Sequence, residues 1–421
     1  MTDVATSRPG VKRFIGIDWD FGSLKQASTR YWLWIGVLGV FLAMGVIAYS
    51  QLLMHGGAVL GMRDDYPWGL WFVDYMYYIG LAAGGLVVYA SVHLFGAKQF
   101  TALSRIAVLQ AGVLTMLALM GILTDMERPA RMIWFMLTPN PTSPFLYTGS
   151  AAGGYMVLCF VDLWVLITGK GGHKLAMTMT LIALPFAIYM HTTTAFVLSM
   201  NKSRELWHSA VMVPIFLTSA TASGISLLLI FAYIVQSTTQ IKFKPSMFRS
   251  LATLLATVMI IDLFLLVVEI LSIFWPTSAM PGHTIRMSEF FTGNYAWAFL
   301  PVLILGFSAF FLLARRPSRH LPAVQITAAS MYLVAVLLKR YSLMAMGFAR
   351  NTLGQLTGIY VPSPVEVFLA LGILAFGLLL ITVSMKVLPM ETPDDEDDDD
   401  LAPFRGSAAN DAVLEAEVTP L

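Results

Sequence analysis

The side chains that could do chemistry in this chain are few, because 57% of its 421 residues are hydrophobic and only 12% are charged. An ionisable group inside a long apolar stretch costs at least about 2.5 kcal/mol to place in a membrane, so each one is a candidate for function. The candidates are His55, Asp74, Asp125, Arg128, Asp162, His191, Asp262, Glu269, Lys339 and Arg340. Such isolated groups can exchange protons or pair with one another.

A first group of candidates combines titratable side chains with aromatic rings near the ends of apolar segments. A quinone ring needs a flat apolar slot, hydrogen-bond donors for its two carbonyl oxygens, and a titratable group that takes each proton as the quinol is oxidised. Rings at helix ends also form the ordinary interfacial belt of membrane proteins, but here they coincide with histidine and acids. The expected quinone-site residues are His55, Trp71, Asp74, Tyr75, Tyr78, Asp125, Tyr147 and His191. Among them, His55, Asp74 and Asp125 are the expected proton-exchanging residues.

A second group of charged residues is predicted to serve the membrane interior. Asp262 and Glu269 are seven residues apart and therefore share roughly one face of a helix. With Asp162 and Arg340, they could form a proton path between the cytoplasm and the quinone site. In the alternative interpretation, one of these carboxylates pairs with Lys339 or Arg340 and holds two helices in register. The two interpretations are compatible.

Neither an iron–sulfur cluster nor a metal ion is expected in this chain. Cys159 is the single cysteine, and there is no zinc-spaced set, phosphate-binding loop or nucleophile elbow. A haem held between His55 and His191 stays open as an alternative, because the other histidines fall at helix ends or in loops. The expected redox ligand is therefore a quinone, with other redox centres in partner subunits.

Ten apolar segments of about 20 residues, each long enough to cross about 30 Å of hydrocarbon, position these side chains. They lie near residues 32–53, 70–96, 104–124, 148–168, 174–199, 209–236, 250–275, 295–314, 324–346 and 365–388. The sequence thus predicts an all-α integral membrane protein with about ten transmembrane helices. Residues 1–31 are expected to form a cytoplasmic segment, 32–388 the transmembrane quinone-interacting domain, and 389–421 a disordered cytoplasmic tail rich in acids.

The orientation follows from the distribution of Lys and Arg. With ten segments, both termini lie on one side, where 17 of these residues are predicted, against seven in the opposite loops. Because basic residues concentrate on the cytoplasmic side, both termini are predicted to be cytoplasmic, in the inner membrane of a bacterium or archaeon. The end of each helix that faces away from the cytoplasm is called the outer end below.

Several motifs resemble the membrane-subunit family of polysulfide reductase, also called the NrfD or PsrC family. They are Pro67–Gly85 (PWGLWFVDYMYYIGLAAGG), Asp125–Pro129 (DMERP) and Pro139–Pro144 (PNPTSP), in matching order and spacing. Lys339–Tyr341 (KRY) and Tyr360–Glu366 (YVPSPVE) look like the ten-helix branch of that family. The resemblance covers about residues 30 to 390.

The resemblance implies two four-helix bundles, helices 2 to 5 and helices 6 to 9, with one flanking helix at each end. It also implies a quinone pocket near the outer end, with Asp74 in the segment that lines it. Asp125 and Arg128 match the acidic and basic positions of the family's D-x-x-R-P corner, so Arg128 joins the expected quinone-binding residues. Met126 and Glu127 depart from the usual D-L-G-R-P corner and place an extra acid there.

The leading hypothesis is a quinone-reactive membrane subunit of a respiratory oxidoreductase, exchanging electrons between menaquinone or ubiquinone and an iron–sulfur partner at the outer face. A molybdenum enzyme, hydrogenase or multihaem cytochrome is expected beyond that partner, with further membrane subunits as additional candidates and no nucleic acid. Proton translocation is an optional extension. The alternatives are a secondary transporter, since repeated bundles with buried acids are also transporter features, and a single-haem cytochrome b-type subunit.

Overall fold

The computed structural model describes residues 11–126, 129–204, 206–274, 290–349, 355 and 358–390. Within these ranges, ten helices are long and apolar enough to cross a membrane. They are α1 (Thr29–His55), α2 (Leu70–Phe95), α3 (Ser104–Asp125), α4 (Pro144–Thr168), α5 (Gly172–Ser199), α6 (Met212–Thr238), α7 (Pro245–Phe274), α8 (Ala296–Ala314), α9 (Pro322–Gly347) and α10 (Pro364–Val387). One helix matches each predicted segment, so the all-α integral membrane fold is confirmed. The acidic stretch of the predicted tail lies outside the described residues.

Eight of these helices form two bundles of four. Helices α2, α3, α4 and α5 pack as a ring in which each contacts its two neighbours, and α6, α7, α8 and α9 repeat this arrangement. The bundles meet where α2 packs against α6 and α9, and where α5 packs against α6. The two-bundle architecture implied by the family resemblance is therefore confirmed.

The remaining two helices, α1 and α10, pack against each other outside both bundles, and α10 also contacts α2 and α3. Gly45 and Gly372 permit this pairing, because a Cβ atom on Gly45 would lie 2.7 Å from the Cα atom of Gly372. A similar approach joins the bundles, where a Cβ atom on Gly84 of α2 would lie 2.0 Å from the backbone of Gly224 on α6. Small residues thus set the closest helix crossings.

Short elements complete the described chain. Strands β1 (Val11–Phe14) and β2 (Ile17–Asp20) form an antiparallel hairpin before α1. A short helix, Met132–Leu137, lies in the connection between α3 and α4, at the end of the molecule where α2 and α4 begin. By the predicted orientation, this is the outer end.

Candidate functional site

A cavity of about 490 Å³ lies at the outer end of the first bundle. Its walls come from α2, α3 and α4, with one residue of α5 and the short helix 132–137. The lining residues are Trp68, Trp71, Phe72, Tyr75, Leu119, Ile122, Leu123, Met126, Met132, Phe135, Phe145, Thr148, Gly149, Gly153 and Val197. A cavity of this size with apolar and aromatic walls suits a flat organic ring.

The start of α4 explains why the space is open. Pro144 occupies the first turn of α4, where its missing N–H costs no hydrogen bond. Gly149 and Gly153 then present no side chain toward the cavity, and a Cβ atom added at Gly153 would meet nothing within 4 Å. The glycines therefore leave room that larger residues would fill.

Few polar groups face this cavity, and two of them lack a hydrogen-bond partner among the described residues. They are the indole Nε1 of Trp71 and the hydroxyl Oγ1 of Thr148, both buried. A third, the hydroxyl of Tyr75, lies 3.3 Å from Oγ1 of Thr194 on α5. Because buried polar groups are nearly always hydrogen-bonded, the Trp71 N–H and the Thr148 hydroxyl fit a ligand with two acceptor oxygens.

The predicted quinone-site residues fall into two sets in the structure. Trp71 and Tyr75 line the cavity. Tyr78, further along α2, is buried, and Asp74, directly before Tyr75, is half-buried; neither of them lines the cavity. Tyr147 is 42% exposed, and its hydroxyl donates to the carbonyl oxygen of Pro141 at 2.8 Å.

The predicted histidines are not brought together. His55 is exposed at the end of α1, outside both bundles. His191 is buried in α5, and its Nε2 has no hydrogen-bond partner among the described residues. It lies one turn before Thr194, the partner of Tyr75, and does not line the cavity.

The D-x-x-R-P corner begins at the outer end of α3. Asp125 is the last residue of α3, between the cavity-lining residues Leu123 and Met126. Arg128 and Glu127 lie outside the described residues. The chain therefore places Asp125 next to two cavity-lining residues, and its role at the cavity stays a prediction.

Thr148 is the functional candidate that the sequence interpretation missed. Its hydroxyl is an ordinary feature of an apolar helix, and nothing in its type marks it. The signal that could have revealed it is the pair Gly149 and Gly153 directly after it, which are four residues apart and therefore leave one face of α4 without side chains.

A separate polar centre lies in the second bundle. The ammonium Nζ of Lys339 on α9 lies 2.8 Å from Oδ1 and 3.0 Å from Oδ2 of Asp262 on α7. The hydroxyl of Tyr332 donates to Oδ2 at 2.8 Å, and that of Thr218 to Oδ1 at 3.3 Å. The expectation that a carboxylate and a cation pair between two helices is confirmed for Asp262 and Lys339.

Next to this pair, Arg340 and Glu269 line a smaller cavity of about 60 Å³. Arg340 donates to the hydroxyl of Ser219 at 2.6 Å and lies over the ring of Phe216, 3.8 Å from its centroid. Glu269 accepts a hydrogen bond from Ser209 at 2.8 Å. Oε1 of Glu269 and both Nε and Nη1 of Arg340 lack partners among the described residues, and the cavity has room for a few water molecules.

Asp162 belongs to a different part of the molecule. It is buried in α4, in the first bundle, whereas Asp262 and Glu269 lie on α7 in the second bundle. One of its carboxylate oxygens, Oδ1, has no hydrogen-bond partner among the described residues. The structure therefore divides the predicted proton path between the two bundles.

No group of three or more His, Cys, Asp or Glu residues in the described ranges could hold a metal ion.

Comparison with known proteins adds to this geometry. The family model described as polysulphide reductase, NrfD, matches residues 58–351, which is more than half of the chain. The chain belongs to the NrfD family of polysulphide reductase membrane subunits.

Three relatives show the redox complexes in which similar chains occur. One is named as a dimethyl sulfoxide reductase membrane subunit of Halobacterium salinarum, 25% identical, covering 85% of this chain and 91% of the relative. Another is the Hdr-like menaquinol oxidoreductase integral membrane subunit of Archaeoglobus fulgidus, 26% identical, covering 88% and 96%. The third is named as a selenate reductase subunit of Mesobacillus selenatarsenatis, 27% identical, covering 57% and 64%. This NrfD chain is thus a multi-pass membrane protein with a role in a redox complex.

The two C-terminal motifs that suggested the ten-helix branch hold the outer end together. In KRY, Lys339 contacts α7, Arg340 contacts α6, and the hydroxyl of Tyr341 donates to the carbonyl oxygen of Tyr360 at 3.1 Å. In YVPSPVE, Glu366 accepts hydrogen bonds from Tyr360 at 2.8 Å and from the backbone N–H of Gly61 at 3.0 Å. These contacts tie the start of α10 to both bundles.

Proposed function

We propose that this NrfD chain is the quinone-reactive membrane subunit of a respiratory oxidoreductase complex, exchanging electrons between menaquinone or ubiquinone and an iron–sulfur partner subunit. The observation that carries the proposal is the cavity of about 490 Å³, whose walls include two buried donors, Trp71 and Thr148, that have no hydrogen-bond partner among the described residues. The name of the Archaeoglobus relative, a menaquinol oxidoreductase subunit, supports a quinone as the ligand.

A quinol that becomes a quinone supplies two electrons and two protons, and the residues of this chain orient it and accept the protons. The Trp71 N–H and the Thr148 hydroxyl donate hydrogen bonds to the two ring oxygens. Phe72 and Phe145 form apolar walls that exclude water from the ring. Fixed donors in a dry site stabilise charge on oxygen as it develops, without reorganising at the moment of reaction.

Two routes are available for the protons. On the first route, the hydroxyl of Tyr75 lies 3.3 Å from Oγ1 of Thr194 on α5, and His191, three residues before Thr194, is the proposed acceptor. On the second route, the proposed acceptors are two carboxylates: Asp125, next to cavity-lining residues at the end of α3, and Asp74, directly before Tyr75 on α2. His55 is left out of this route because it is exposed and lies outside both bundles.

The partner is proposed to dock at the outer end, beside the cavity. The relatives named as subunits of dimethyl sulfoxide reductase and selenate reductase support a catalytic subunit with its own redox centres beyond an iron–sulfur protein. With the predicted orientation, both termini are cytoplasmic and the quinone cavity opens near the opposite face of a bacterial or archaeal inner membrane.

The test removes one donor at a time from the purified complex. Thr148→Val keeps the shape of the side chain and removes the hydroxyl, and Trp71→Phe removes the indole N–H. Each change is expected to raise the KM for quinol about threefold to tenfold, the effect of one lost hydrogen bond. Thr192→Val is the control, because the Thr192 hydroxyl bonds within α5 to the carbonyl oxygen of Ile188. Unchanged kinetics in both cavity variants would refute this site.

Energy coupling is a second proposal, and the buried Asp262–Lys339 pair with the adjoining cavity beside Glu269 and Arg340 favours it. Beside this buried ion pair, atoms of Glu269 and Arg340 have no hydrogen-bond partner in the described part of the chain, so these groups can exchange a proton through water. Asp262→Asn is expected to reduce proton translocation in vesicles while quinol oxidation continues. If both fall together, or neither changes, the coupling proposal fails.

The two alternative functions have less support. Family membership and the relatives' names point to redox complexes rather than to secondary transport. A haem held by His55 and His191 would need both rings at one site, and their placement outside and inside the first bundle disfavours it.

A further inference from the structure

The N-terminal hairpin has a turn that its sequence does not favour. Phe14 pairs with Ile17, so Ile15 and Gly16 form a two-residue turn, with φ of 53° and 81°. Such turns prefer Asn-Gly or Gly-Gly, because both central residues have positive φ. Ile15 is the one non-glycine residue with positive φ in the described ranges, and a β-branched side chain is strained there. The turn thus keeps a large apolar side chain at a position where glycine would have less backbone strain.

The hairpin is fixed to the ends of two transmembrane helices. The indole N–H of Trp164 on α4 donates to the carbonyl oxygen of Ile15 at 2.8 Å. The ammonium of Lys170 lies over the Trp164 ring, 5.2 Å from its centroid, and against Gly16. On the other side, the hydroxyl of Ser23 donates to the carbonyl oxygen of Lys386, near the end of α10, at 2.8 Å. The strained tip is therefore held in one place.

The tip lies beside the last turn of α4, at the depth where lipid headgroups meet acyl chains. Trp164 lies four residues before the end of α4, so the tip reaches about 6 Å along the helix from that end. The same helix exposes Val157 and Val161 beyond this point, as expected of a surface that faces lipid. The tip residues Phe14 and Ile15 are each 64% exposed. Their apolar side chains lie at the depth where membrane proteins contact the headgroup and acyl boundary.

Basic residues surround this apolar tip. Lys12 precedes Phe14 by two residues and shares its face of strand β1. Lys170 and Lys174 lie in or beside the turn between α4 and α5, and Lys12, Lys170 and Lys174 are all exposed. The segments 11–30 and 169–174 together carry six Lys and Arg residues against two Asp residues. Clusters of this kind beside a membrane surface attract anionic lipid.

We propose that the hairpin is a binding site for anionic phospholipid. Phe14 and Ile15 contact the acyl chains, while Lys12 and Lys170 bind the headgroup phosphate. The strain at Ile15 is retained because the apolar side chain at the tip is needed for binding. The site lies at the end of the molecule opposite to the quinone cavity and is independent of the quinone chemistry.

The test compares phosphatidylglycerol with phosphatidylcholine on the full chain in mild detergent, with bound lipids counted by native mass spectrometry. The wild type is expected to prefer phosphatidylglycerol. Lys12→Gln should weaken that preference about fivefold at low ionic strength, the effect of one cation near an anionic surface. Ile15→Gly should weaken binding of the same lipid. Lys202→Gln and Val361→Ala, which change exposed residues at the outer end, should have no effect.

The thermal stability of Ile15→Gly separates lipid binding from packing. Because glycine relieves the positive φ, its melting temperature in detergent without lipid should equal or exceed that of the wild type. A lower melting temperature would show that Ile15 packs within the protein and would overturn the proposal. Equal binding of the two lipids would overturn the proposal as well. Loss of bound phosphatidylglycerol when the complex assembles would also overturn it, because the hairpin would then bind a protein partner.

Discussion

The indole ring of Trp207 lies against Gly347 of α9, where a Cβ atom would come within 2.1 Å of the ring. The ring stacks on Trp68 with 5.2 Å between centroids, and its N–H donates to the carbonyl oxygen of Leu343 at 2.8 Å. Trp68 lines the proposed quinone cavity, and Leu343 lines the smaller cavity beside Arg340. This tryptophan pair thus connects the wall of the proposed quinone site with the helix that carries Lys339.

Gly347→Ala is therefore expected to displace Trp207 and, through it, Trp68. Overpacking of this kind costs about 1–3 kcal/mol of unfolding free energy. The KM for quinol should rise in the same variant because a cavity wall moves. Gly39→Ala on α1 is the control, since a Cβ atom there meets nothing within 4 Å. Denaturant unfolding in detergent and quinol oxidation measure the two effects, and wild-type values for both would contradict the contact.

The Asp262–Lys339 pair should behave as a unit in a double-mutant cycle. Asp262→Leu or Lys339→Met alone leaves one buried charge without its partner, which costs about 3–5 kcal/mol. The double variant has no orphaned charge and should be clearly more stable than either single variant. Additive losses in denaturant unfolding would show that the two side chains do not interact.

Much of the fold could be predicted from the sequence because the membrane limits the possibilities. All ten apolar segments became helices, since a spanning segment must satisfy its own backbone hydrogen bonds. The pairing of Asp262 with Lys339 was one of two open interpretations, because unpaired charges in this setting are costly. The two-bundle packing followed from family motifs, not from periodicity.

The candidate site was only partly predictable, because its cavity depends on three-dimensional packing. Trp71 and Tyr75 were found by their type and position, but His55 looked equivalent in sequence and proved to be exposed on an outer helix. Thr148 was missed because a threonine in an apolar helix usually bonds to its own backbone. Only the structure shows that its hydroxyl has no such partner.

Tyr360 and Glu366 join the start of α10 to α2, and their hydrogen bond should stabilise the outer end. The Tyr360 hydroxyl also accepts from the N–H of Leu70 at 2.7 Å. Tyr360→Phe is expected to lower the free energy of unfolding by about 1.5–3 kcal/mol, because the hydroxyl donates to the carboxylate of Glu366. Glu366→Gln should cost at least as much, because both carboxylate oxygens accept hydrogen bonds and the amide NH2 would face the N–H donors of Gly61 and Ser363. Equal stability of Tyr360→Phe and wild type would argue against the contact.

The difference in unfolding free energy between the wild type and Tyr360→Phe should fall at high pH. Burial and the neighbouring Glu366 carboxylate raise the pKa of Tyr360, so the folded state holds its proton above the ordinary value of about 10. The stabilisation relative to Tyr360→Phe should be constant below about pH 10 and shrink at higher pH, as the unfolded tyrosine releases its proton. Paired denaturant unfolding curves at several pH values would test this.

Gly153→Leu tests the cavity by filling it. A side chain at Gly153 projects into open space, because a Cβ atom there meets nothing within 4 Å and the residue lines the cavity. Leucine is also a better helix former than glycine, by about 0.8 kcal/mol, so the fold should be as stable as the wild type or more so. Quinol oxidation should nevertheless fall at least about tenfold, and quinone extracted from the purified complex should fall with it, since a leucine occupies space that the ring needs. Gly39→Leu on α1 is the matched control for hydrophobicity and helix propensity, because a Cβ atom there also meets nothing within 4 Å. If Gly153→Leu kept full activity and its bound quinone while remaining folded, the ring would have to bind elsewhere, and the hydrogen bonds assigned to Trp71 and Thr148 would fail with it.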